Sequence, residues 1–312
     1  MTQKRRQLLG LFGTLLFILG LLGYTLLYLE AQKIEAIRIT LPYIALADIP
    51  VQVNKISAPE LSATAAIVID YDSGSILYEK NANTYYPPAS TTKLVTALVV
   101  LDYFAPENEL TIGALPPVSG SVLKLRYGET YTVADLLSAL LITSANDVAL
   151  EFAAAYPGGS PAFVAKMNEK ASELALQDTV FSNPAGFDFG VHHTTASDLA
   201  KIARAAWEDP YIQAAMSTRH TTILDTTQIR RHELVSTNQL LHEDESILGG
   251  KTGTTEKAGE VLIAFENHSD HTILSVVLGS SDRYVDTVAL TDWLYKTYTW
   301  EKPTPPHHPK EE

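Results

Sequence analysis

Serine followed three positions later by lysine is a residue pair that can do nucleophilic chemistry, and Ser90 and Lys93 form such a pair. In a helix, positions i and i+3 share a face, so the lysine amine can reach the serine hydroxyl. Serine is a weak nucleophile until a base takes its proton, and lysine can be that base only when burial or a second cation lowers its pKa. At a helix start, the N–H of Ser90 is also free to stabilise an oxyanion.

A second copy of the template shows that this spacing alone is a weak signal. Ser121 and Lys124 have the same separation, but the alternating residues around them and the glycine that follows predict a strand edge and a turn. The first copy has the better context, because prolines at 87–88 precede it and an apolar-faced helix is predicted after it. We therefore assign the candidate nucleophile and base to Ser90 and Lys93.

A hydroxyl and an amide stand two residues apart at Ser144 and Asn146, in a short break between two predicted helices. Both side chains can face one cleft, where the hydroxyl can relay a proton and the amide can hold a substrate. An ordinary helix N-cap explains either residue equally well. The same Ser-x-Asn pattern recurs at 236–238, so it too is weak by itself.

The sequence Lys-Thr-Gly-Thr occurs once, at the start of a β-rich run after two glycines. Lys251 provides a cation, and Thr252 and Thr254 provide hydroxyls that can hold a carboxylate. Gly253 carries no side chain, so another chain can approach the strand edge closely. A strand with a glycine bulge is the structural alternative.

The elements that must position these groups predict an α+β domain. Strand-like runs lie at both ends of the domain and helical periodicity lies between them, which favours an antiparallel sheet built from both ends. The predicted strands are 65–70, 75–78, 251–255, 261–265 and 272–278. The predicted helices are one that begins near Ser90 and others at 133–142, 147–155, 162–176, 197–207 with Ser197 as its cap, and 282–298.

Composition excludes several classes of function. The chain has 312 residues, a formal net charge of −13 and no cysteine. A protein that binds the phosphate backbone of nucleic acid presents a basic face, so the negative net charge of this chain argues against nucleic acid as a partner. Without cysteine there is no disulfide, no thiolate metal site and no cysteine nucleophile.

The N-terminus has the pattern of an uncleaved membrane anchor. Three consecutive basic residues begin at Lys4, and an uncharged apolar run of 22 residues follows at 8–29. A helix of this length crosses a hydrocarbon layer of about 30 Å, and the basic residues are expected to stay in the cytoplasm. The predicted organisation is a cytoplasmic N-terminus, a transmembrane signal anchor, an extracytoplasmic stalk, one folded domain and a Pro-rich flexible tail, at 1–7, 8–29, 30–57, 58–300 and 301–312.

Taken together and in this order, the three patterns resemble the D-alanyl-D-alanine carboxypeptidases, the low-molecular-mass penicillin-binding proteins. The resemblance covers about 65–298 and includes the longer stretches 86–90, 143–149, 181–188 and 193–200. It implies a β-lactamase/transpeptidase-like α+β fold, in which an antiparallel sheet is flanked by helices with an all-helical subdomain. The folded domain at 58–300 would then be a DD-peptidase catalytic domain, preceded here by one transmembrane helix.

The resemblance implies a serine-type D-Ala-D-Ala carboxypeptidase acting on peptidoglycan stem peptides. Ser90 would attack the carbonyl carbon between the two terminal D-alanines, and Lys93 would be the general base. The charge of Lys251 would help to lower the pKa of that base. The N–H groups of Ser90 and Thr254 would form the oxyanion hole.

The remaining residues receive roles from the same resemblance. Ser144 would pass a proton to the departing D-alanine, and Asn146 would align the base and the substrate amide. Lys251, Thr252 and Thr254 would hold the terminal carboxylate. The family's chemistry implies no metal and no cofactor, and it makes β-lactam antibiotics covalent inhibitors that acylate the same serine.

The chain departs from familiar members in two respects. Larger members carry a β-rich domain and an amphipathic helix after the catalytic domain, and only about 60 residues follow Lys251 here, so neither is expected. Some members also place an arginine just before Lys-Thr-Gly, where 236–239 has none. Carboxylate binding is therefore expected to depend on Lys251 and the threonines, or on Arg230 or Arg231.

Three alternatives remain open from the sequence. A class A β-lactamase would share the motifs, but the chain contains no Glu-x-x-Leu-Asn sequence to activate a deacylating water. A DD-endopeptidase would use the same residues on D-alanine cross-links. An inert receptor for muropeptides or β-lactams would keep the fold without turnover.

Overall fold

The computed structural model describes residues 3–36, 48–114 and 116–303. They belong to two compact units, one that reaches Leu46 and one that begins at Ala47. The helices of the described residues are α1 (Gln3–Ala36), α2 (Lys93–Tyr103), α3 (Val133–Ile142), α4 (Asn146–Ala155), α5 (Gly159–Glu173), α6 (Ala196–Trp207), α7 (Pro210–Ser217), α8 (Gln239–Glu243) and α9 (Arg283–Thr297). The strands are β1 (Ile49–Gln52), β2 (Ala65–Asp70), β3 (Ile76–Lys80), β4 (Glu109–Thr111), β5 (Thr130–Thr132), β6 (His220–Leu224), β7 (Arg231–Val235), β8 (Ile247–Thr255), β9 (Gly259–His268), β10 (His271–Ser280) and β11 (Tyr298–Glu301).

The first unit contains the single long helix α1. Its segment Phe12–Glu30 is long and apolar enough to cross a membrane, and none of it is buried. The predicted membrane helix at 8–29 lies within α1. Residues 1–2 of the predicted cytoplasmic segment lie outside the described residues.

The second unit is built on a five-stranded antiparallel sheet with the order β3-β2-β10-β9-β8. Alternate side chains of β2 enter two different cores: Ile67 and Ile69 pack with the central helices, whereas Ala66 and Val68 pack with α9. The sheet is therefore buried on both faces and flanked by helices, as the sequence predicted. The strand β8, which carries the Lys-Thr-Gly sequence, lies at one edge of the sheet.

A helical region packs on one face of this sheet. Its central helix is α2, which packs against α3, α4, α5 and α6. The residues from Lys93 to Ala97 and the pair Val99 and Val100 are buried, so α2 is enclosed on nearly all sides rather than along one stripe. The polar residues at its first turn consequently lie at the junction of the helices and the sheet.

The folded unit begins within the range that was predicted as a stalk. Strand β1 pairs antiparallel with β11, with Ile49 opposite Glu301 and Gln52 opposite Tyr298. Pro50, which belongs to the predicted stalk, lies in a short strand whose partner comes from the far end of the domain. The folded unit thus includes residues that we assigned to a stalk at 30–57. Residues 37–47 of that segment and 304–312 of the predicted tail lie outside the described residues.

Several local predictions also differ from the structure. Helix α6 is capped by Thr195, whose hydroxyl accepts the N–H of Asp198, and not by Ser197. The predicted helix at 162–176 begins earlier, at Gly159, and ends at Glu173. Residues 121–124 form no strand edge but part of an irregular loop. Helix α7 and the hairpin β6–β7 were not predicted, because their short segments carry little periodicity.

Candidate active site

The candidate nucleophile lies on a tight turn that leads into the deeply buried helix α2. A 3₁₀ turn spans Ala89–Thr92 and continues directly into α2. Ala89 has a left-handed backbone with φ of 47°, and a Cβ added at Gly186 would lie 1.9 Å from the Ala89 oxygen. Ser90 is thereby presented in a first helical turn, where backbone N–H groups have no intrahelical acceptor.

The amine of Lys93 is completely buried and has three acceptors. Its Nζ lies 2.9 Å from Ser90 Oγ. It also lies 2.8 Å from Asn146 Oδ1 and 2.7 Å from the Ala185 oxygen. The i,i+3 geometry expected from the sequence is therefore present, and two further oxygens fix the direction of the amine.

Burial sets the ionisation of this amine. The pKa of Lys93 lies well below its usual value because the group is desolvated, and the charge of Lys251 lowers it further. The carboxylate of Asp147 acts in the opposite direction. A buried amine that loses its proton easily, at hydrogen-bond distance from a hydroxyl, can act as a general base.

Ser144 faces the second buried lysine. Its backbone is left-handed, with φ of 59°, and Lys251 Nζ donates to Ser144 Oγ at 2.9 Å and to the Thr252 oxygen at 2.9 Å. Burial lowers the pKa of Lys251 to about 7, and the charge of Arg283 contributes. The N-cap of α4 is Ala145, without a side-chain bond, so neither Ser144 nor Asn146 serves as that cap.

Asn146 and Asp147 connect the site to the loop that follows β4. Asn146 donates from Nδ2 to the Ser119 oxygen at 2.8 Å, and its own N–H donates to the Ser121 oxygen at 2.7 Å. The carboxylate of Asp147 accepts the backbone N–H groups of residues 123–125 at 2.9, 2.7 and 3.2 Å. The first turn of α4 therefore holds the base on one side and a wall of the site on the other.

The edge strand β8 passes close to the nucleophile. A Cβ added at Gly253 would lie 3.0 Å from the Ser90 nitrogen, so only a bare backbone fits there comfortably. Thr252 Oγ1 lies 2.6 Å from Thr237 Oγ1. Thr254 follows on the same edge, and its hydroxyl accepts a hydrogen bond from the guanidinium of Arg283.

Arg283 lines the cleft and was not among the site residues predicted from the sequence. Its Nη1 donates to the oxygens of Gly253 and Val261 at 2.8 and 3.0 Å, and its Nε donates to Glu260 Oε2 at 3.0 Å. It occupies the first position of α9, after a two-residue connection that follows β10. The available signal was an arginine shortly after the last predicted strand of the sheet, whereas the two arginines suggested from the sequence both precede the motif.

The arginines that the sequence suggested lie elsewhere. The Nε of Arg230 is 3.3 Å from Glu129 Oε1, and the Nη2 of Arg231 is 3.2 Å from Glu233 Oε1. Neither lines the cleft. Arg283, and not Arg230 or Arg231, is therefore the arginine whose guanidinium contacts β8.

These groups surround one cleft of about 290 Å³. Six of the eight predicted residues line it, and the two buried lysines bond to the lining hydroxyls of Ser90 and Ser144. The cleft combines a serine and its base, a second hydroxyl next to a cation, and a guanidinium. Its lining residues are Ser90, Gly120, Ser121, Ser144, Asn146, Thr237, Thr252, Gly253, Thr254, Arg283 and Tyr284.

Comparison with known proteins identifies relatives of this chain. The model of the D-alanyl-D-alanine carboxypeptidase family, peptidase family S11, matches residues 52–282. D-alanyl-D-alanine carboxypeptidase DacF of Bacillus subtilis is 31% identical over 245 residues, which are 76% of this chain and 63% of that protein. The D-alanyl-D-alanine endopeptidase of Escherichia coli is 30% identical over 246 residues, which are 76% of this chain and 79% of that protein. The chain thus spans less than two thirds of the length of the first of these relatives.

A solved structure has the same architecture. The DD-transpeptidase of Streptomyces K15 superposes with a TM-score of 0.71 at 26% identity, over 77% of this chain and 100% of that one. This likeness confirms the predicted transpeptidase-like α+β fold. The three relatives carry three different activity names, so similarity alone does not select one of them.

Proposed function

The chain belongs to the D-alanyl-D-alanine carboxypeptidase family, and from that membership we propose that it removes the terminal D-alanine from peptidoglycan stem pentapeptides through an acyl-enzyme on Ser90. The observation that carries the proposal is the buried Lys93 amine 2.9 Å from the Ser90 hydroxyl. A base with a lowered pKa at that distance activates serine without a histidine.

Acylation follows from this geometry. Neutral Lys93 takes the proton of Ser90 Oγ while the oxygen attacks the carbonyl carbon of the penultimate D-alanine. The N–H groups of Ser90 and Thr254 stabilise the oxyanion. When the tetrahedral intermediate collapses, the peptide C–N bond breaks and an ester on Ser90 remains.

The leaving amine needs a proton, and Ser144 supplies it. Its hydroxyl lies beside Lys251 Nζ, so the proton that it gives up is replaced from that ammonium group. Asn146 keeps Lys93 directed at the serine and aligns the substrate amide. Before the second step, Lys93 releases the proton taken from Ser90 to solvent and Lys251 regains one from solvent, because both lysines have lowered pKa values. Water then attacks the ester, and Lys93 accepts its proton and passes it to Ser90 Oγ as the ester C–O bond breaks, so that the shortened stem peptide leaves.

Two cations support recognition of a free terminal carboxylate. Lys251 belongs to β8 and Arg283 donates to that strand, and Thr252, Thr254 and Arg283 all line the cleft. A carboxylate is attracted by both charges and accepts hydrogen bonds from the hydroxyls. This arrangement favours a carboxypeptidase over an endopeptidase, whose scissile D-alanine belongs to a cross-link.

No acidic side chain is among the described residues that line the cleft, which favours slow deacylation over β-lactamase activity. Glu79 and Asn83 have the Glu–Asn spacing of the Glu-x-x-Leu-Asn sequence, but neither is among the described residues that line the cleft. Penicillins are therefore expected to remain on Ser90 as covalent inhibitors. Helix α1 serves in this proposal as a single-pass anchor, with the catalytic domain outside the bacterial cell membrane.

The full chain in detergent tests the proposal with three substrates: a stem pentapeptide, a D-alanine cross-linked dimer and a fluorescent penicillin. We expect D-alanine release from the pentapeptide and stable penicillin labelling. Cleavage of the dimer alone would establish an endopeptidase. Rapid penicillin turnover would establish a β-lactamase, and labelling without D-alanine release would establish a receptor.

A further inference from the structure

His192 contacts the nucleophile turn from outside the cleft. It is not a cleft-lining residue, and its ring packs edge-on against Phe181 with centroids 5.8 Å apart. Its Nδ1 lies 3.0 Å from the Ser182 nitrogen, and its Nε2 lies 2.9 Å from Thr92 Oγ1. Thr92 directly precedes Lys93, is buried and does not line the cleft.

The hydrogen bonds determine the tautomer of this histidine. The backbone N–H of Ser182 can only donate, so Nδ1 must be an acceptor and the ring proton lies on Nε2. Nε2–H therefore donates to Thr92 Oγ1, and the Thr92 hydroxyl donates in turn to the Ala89 oxygen at 2.8 Å. Burial also lowers the pKa of His192 to about 4, which keeps the ring neutral.

The Ala89 oxygen is the last acceptor in this series of hydrogen bonds, and it controls the orientation of a reacting group. A trans peptide is planar, so the Ala89 C=O and the Ser90 N–H point in opposite directions within one plane. Whatever holds the Ala89 oxygen thereby sets the direction of the Ser90 N–H. The left-handed backbone of Ala89 makes this constraint necessary, because an L-residue adopts that conformation only when its surroundings enforce it.

Resting on the proposed function of Ser90, we propose that His192 is a positioning residue that directs the oxyanion-hole N–H through Thr92. With the proton on Nε2, the Thr92 hydroxyl is free to donate to Ala89. With the proton on Nδ1, Thr92 would instead donate to the ring, and the Ala89 oxygen would lose the hydroxyl donor.

Two substitutions of His192 distinguish the hydrogen bonds that its two ring nitrogens make. In Gln, the amide nitrogen reaches the place of Nε2, so His192→Gln keeps a donor to Thr92. In Asn, the amide oxygen takes the place of Nδ1, so His192→Asn keeps only the acceptor for Ser182. We expect His192→Asn to lower the limiting rate constant of penicillin acylation about tenfold to a hundredfold, with little change in KM for the pentapeptide, because a misdirected oxyanion donor is partly lost. We expect His192→Gln to stay within about threefold of wild type, since that donor is retained.

A double-mutant cycle tests whether the effect passes through Thr92. Thr92→Val removes the hydroxyl, so adding His192→Asn to it should cause no further loss of acylation rate. Independent, multiplicative losses would overturn the proposal. So would a wild-type rate in His192→Asn, or equal losses in the Asn and Gln variants. His193→Asn is the matched control, because that ring stacks on Tyr85.

The amide resonance of Ser90 provides a readout that does not depend on activity. We expect it to shift in His192→Asn and in Thr92→Val but to stay near its wild-type position in His192→Gln. If wild type forms no acyl-enzyme, the proposed function fails, and this resonance still decides the inference. An unchanged Ser90 resonance in His192→Asn would overturn it.

Discussion

The Ser-x-x-Lys spacing occurs twice, and its two copies have opposite surroundings. In the first, the amine of Lys93 lies 2.9 Å from the hydroxyl of Ser90. In the second, the hydroxyl of Ser121 instead donates to the Thr143 oxygen at 2.5 Å, and Lys124 is exposed. Identical spacing therefore gives a base–nucleophile pair in one segment and two separate side chains in the other.

Backbone conformation explains the difference. The first copy lies on helical turns, where positions i and i+3 share a face. In the second, Lys124 has φ of 65° and the chain is irregular, so the spacing has no fixed geometric meaning. The loop is held instead by the Asp147 carboxylate through backbone N–H groups. The Ser-x-x-Lys spacing therefore indicates chemistry only where the backbone is helical and buried.

Replacement of the two serines is the strongest test of the comparison. We expect Ser90→Ala to reduce D-alanine release by at least about a thousandfold and to abolish penicillin labelling, because the attacking oxygen is removed. Ser121→Ala loses one hydrogen bond at the cleft wall and should change the rate by less than about fivefold. Labelling of the full chain by fluorescent penicillin, read on a gel, measures both. Labelling that survives in Ser90→Ala but disappears in Ser121→Ala would reverse the assignment.

The second test compares two glycines, one that contacts the turn of the first copy and one that follows the second copy in the sequence. Gly186 and Gly128 have similar left-handed backbones, with φ of 89° and 84°. A Cβ would collide with the Ala89 oxygen at the first and would meet nothing within 4 Å at the second. We expect Gly186→Ala to lower the free energy of unfolding by about 3 kcal/mol and Gly128→Ala by about 1 kcal/mol.

Chemical denaturation measures both changes, and Gly128→Ala is the control for the backbone strain that the two share. A loss of penicillin acylation is expected only in Gly186→Ala, since only that glycine touches the nucleophile turn. Equal loss of stability in the two variants would show that the contact with Ala89 contributes nothing.

The third test, with the smallest expected effect, concerns the pH dependence of acylation by the Ser90–Lys93 pair. Acylation requires neutral Lys93, so its rate rises with pH through the pKa of that group. Lys251→Met removes a charge that lowers this pKa and should move the rising limb to higher pH. Asp147→Asn removes a charge that raises it and should move the limb to lower pH.

The limiting acylation rate constant, measured as a function of pH, reports these shifts. Lys124→Met is the control, because Lys124 belongs to the second copy and is exposed. Shifts in the same direction for the Lys251 and Asp147 variants would contradict the electrostatic account of the base.

Much of the site was predictable because its residues lie in short, ordered patterns. The spacing of Ser90 and Lys93, the break around Ser144, and the single Lys-Thr-Gly sequence each indicated a local structure, and their order along the chain selected the fold. The strand at 65–70 was predicted with the bounds that the structure has. These features depend on local periodicity and on turn residues.

The residues that were missed depend on contacts between distant parts of the chain. Arg283 reaches Gly253 only because β9 lies between β8 and β10 in the sheet, which no local pattern encodes. His192 acts on Thr92 across a fold contact, and a single histidine carries no periodic signal. Strand β1 is short and contains a proline, and it is a strand only because β11 pairs with it.

The pairing of β1 with β11 also has a mechanical consequence. The chain enters β1 at Ile49, opposite Glu301, and leaves it at Gln52. Tension applied at residue 48 therefore acts first on one end of a two-stranded ribbon and separates its residue pairs one after another. Each released residue lengthens the chain by about 3.3 Å. A pull on the N-terminal side is thus taken up by stepwise extension of this ribbon before it reaches the five-stranded sheet, whose far edge carries β8.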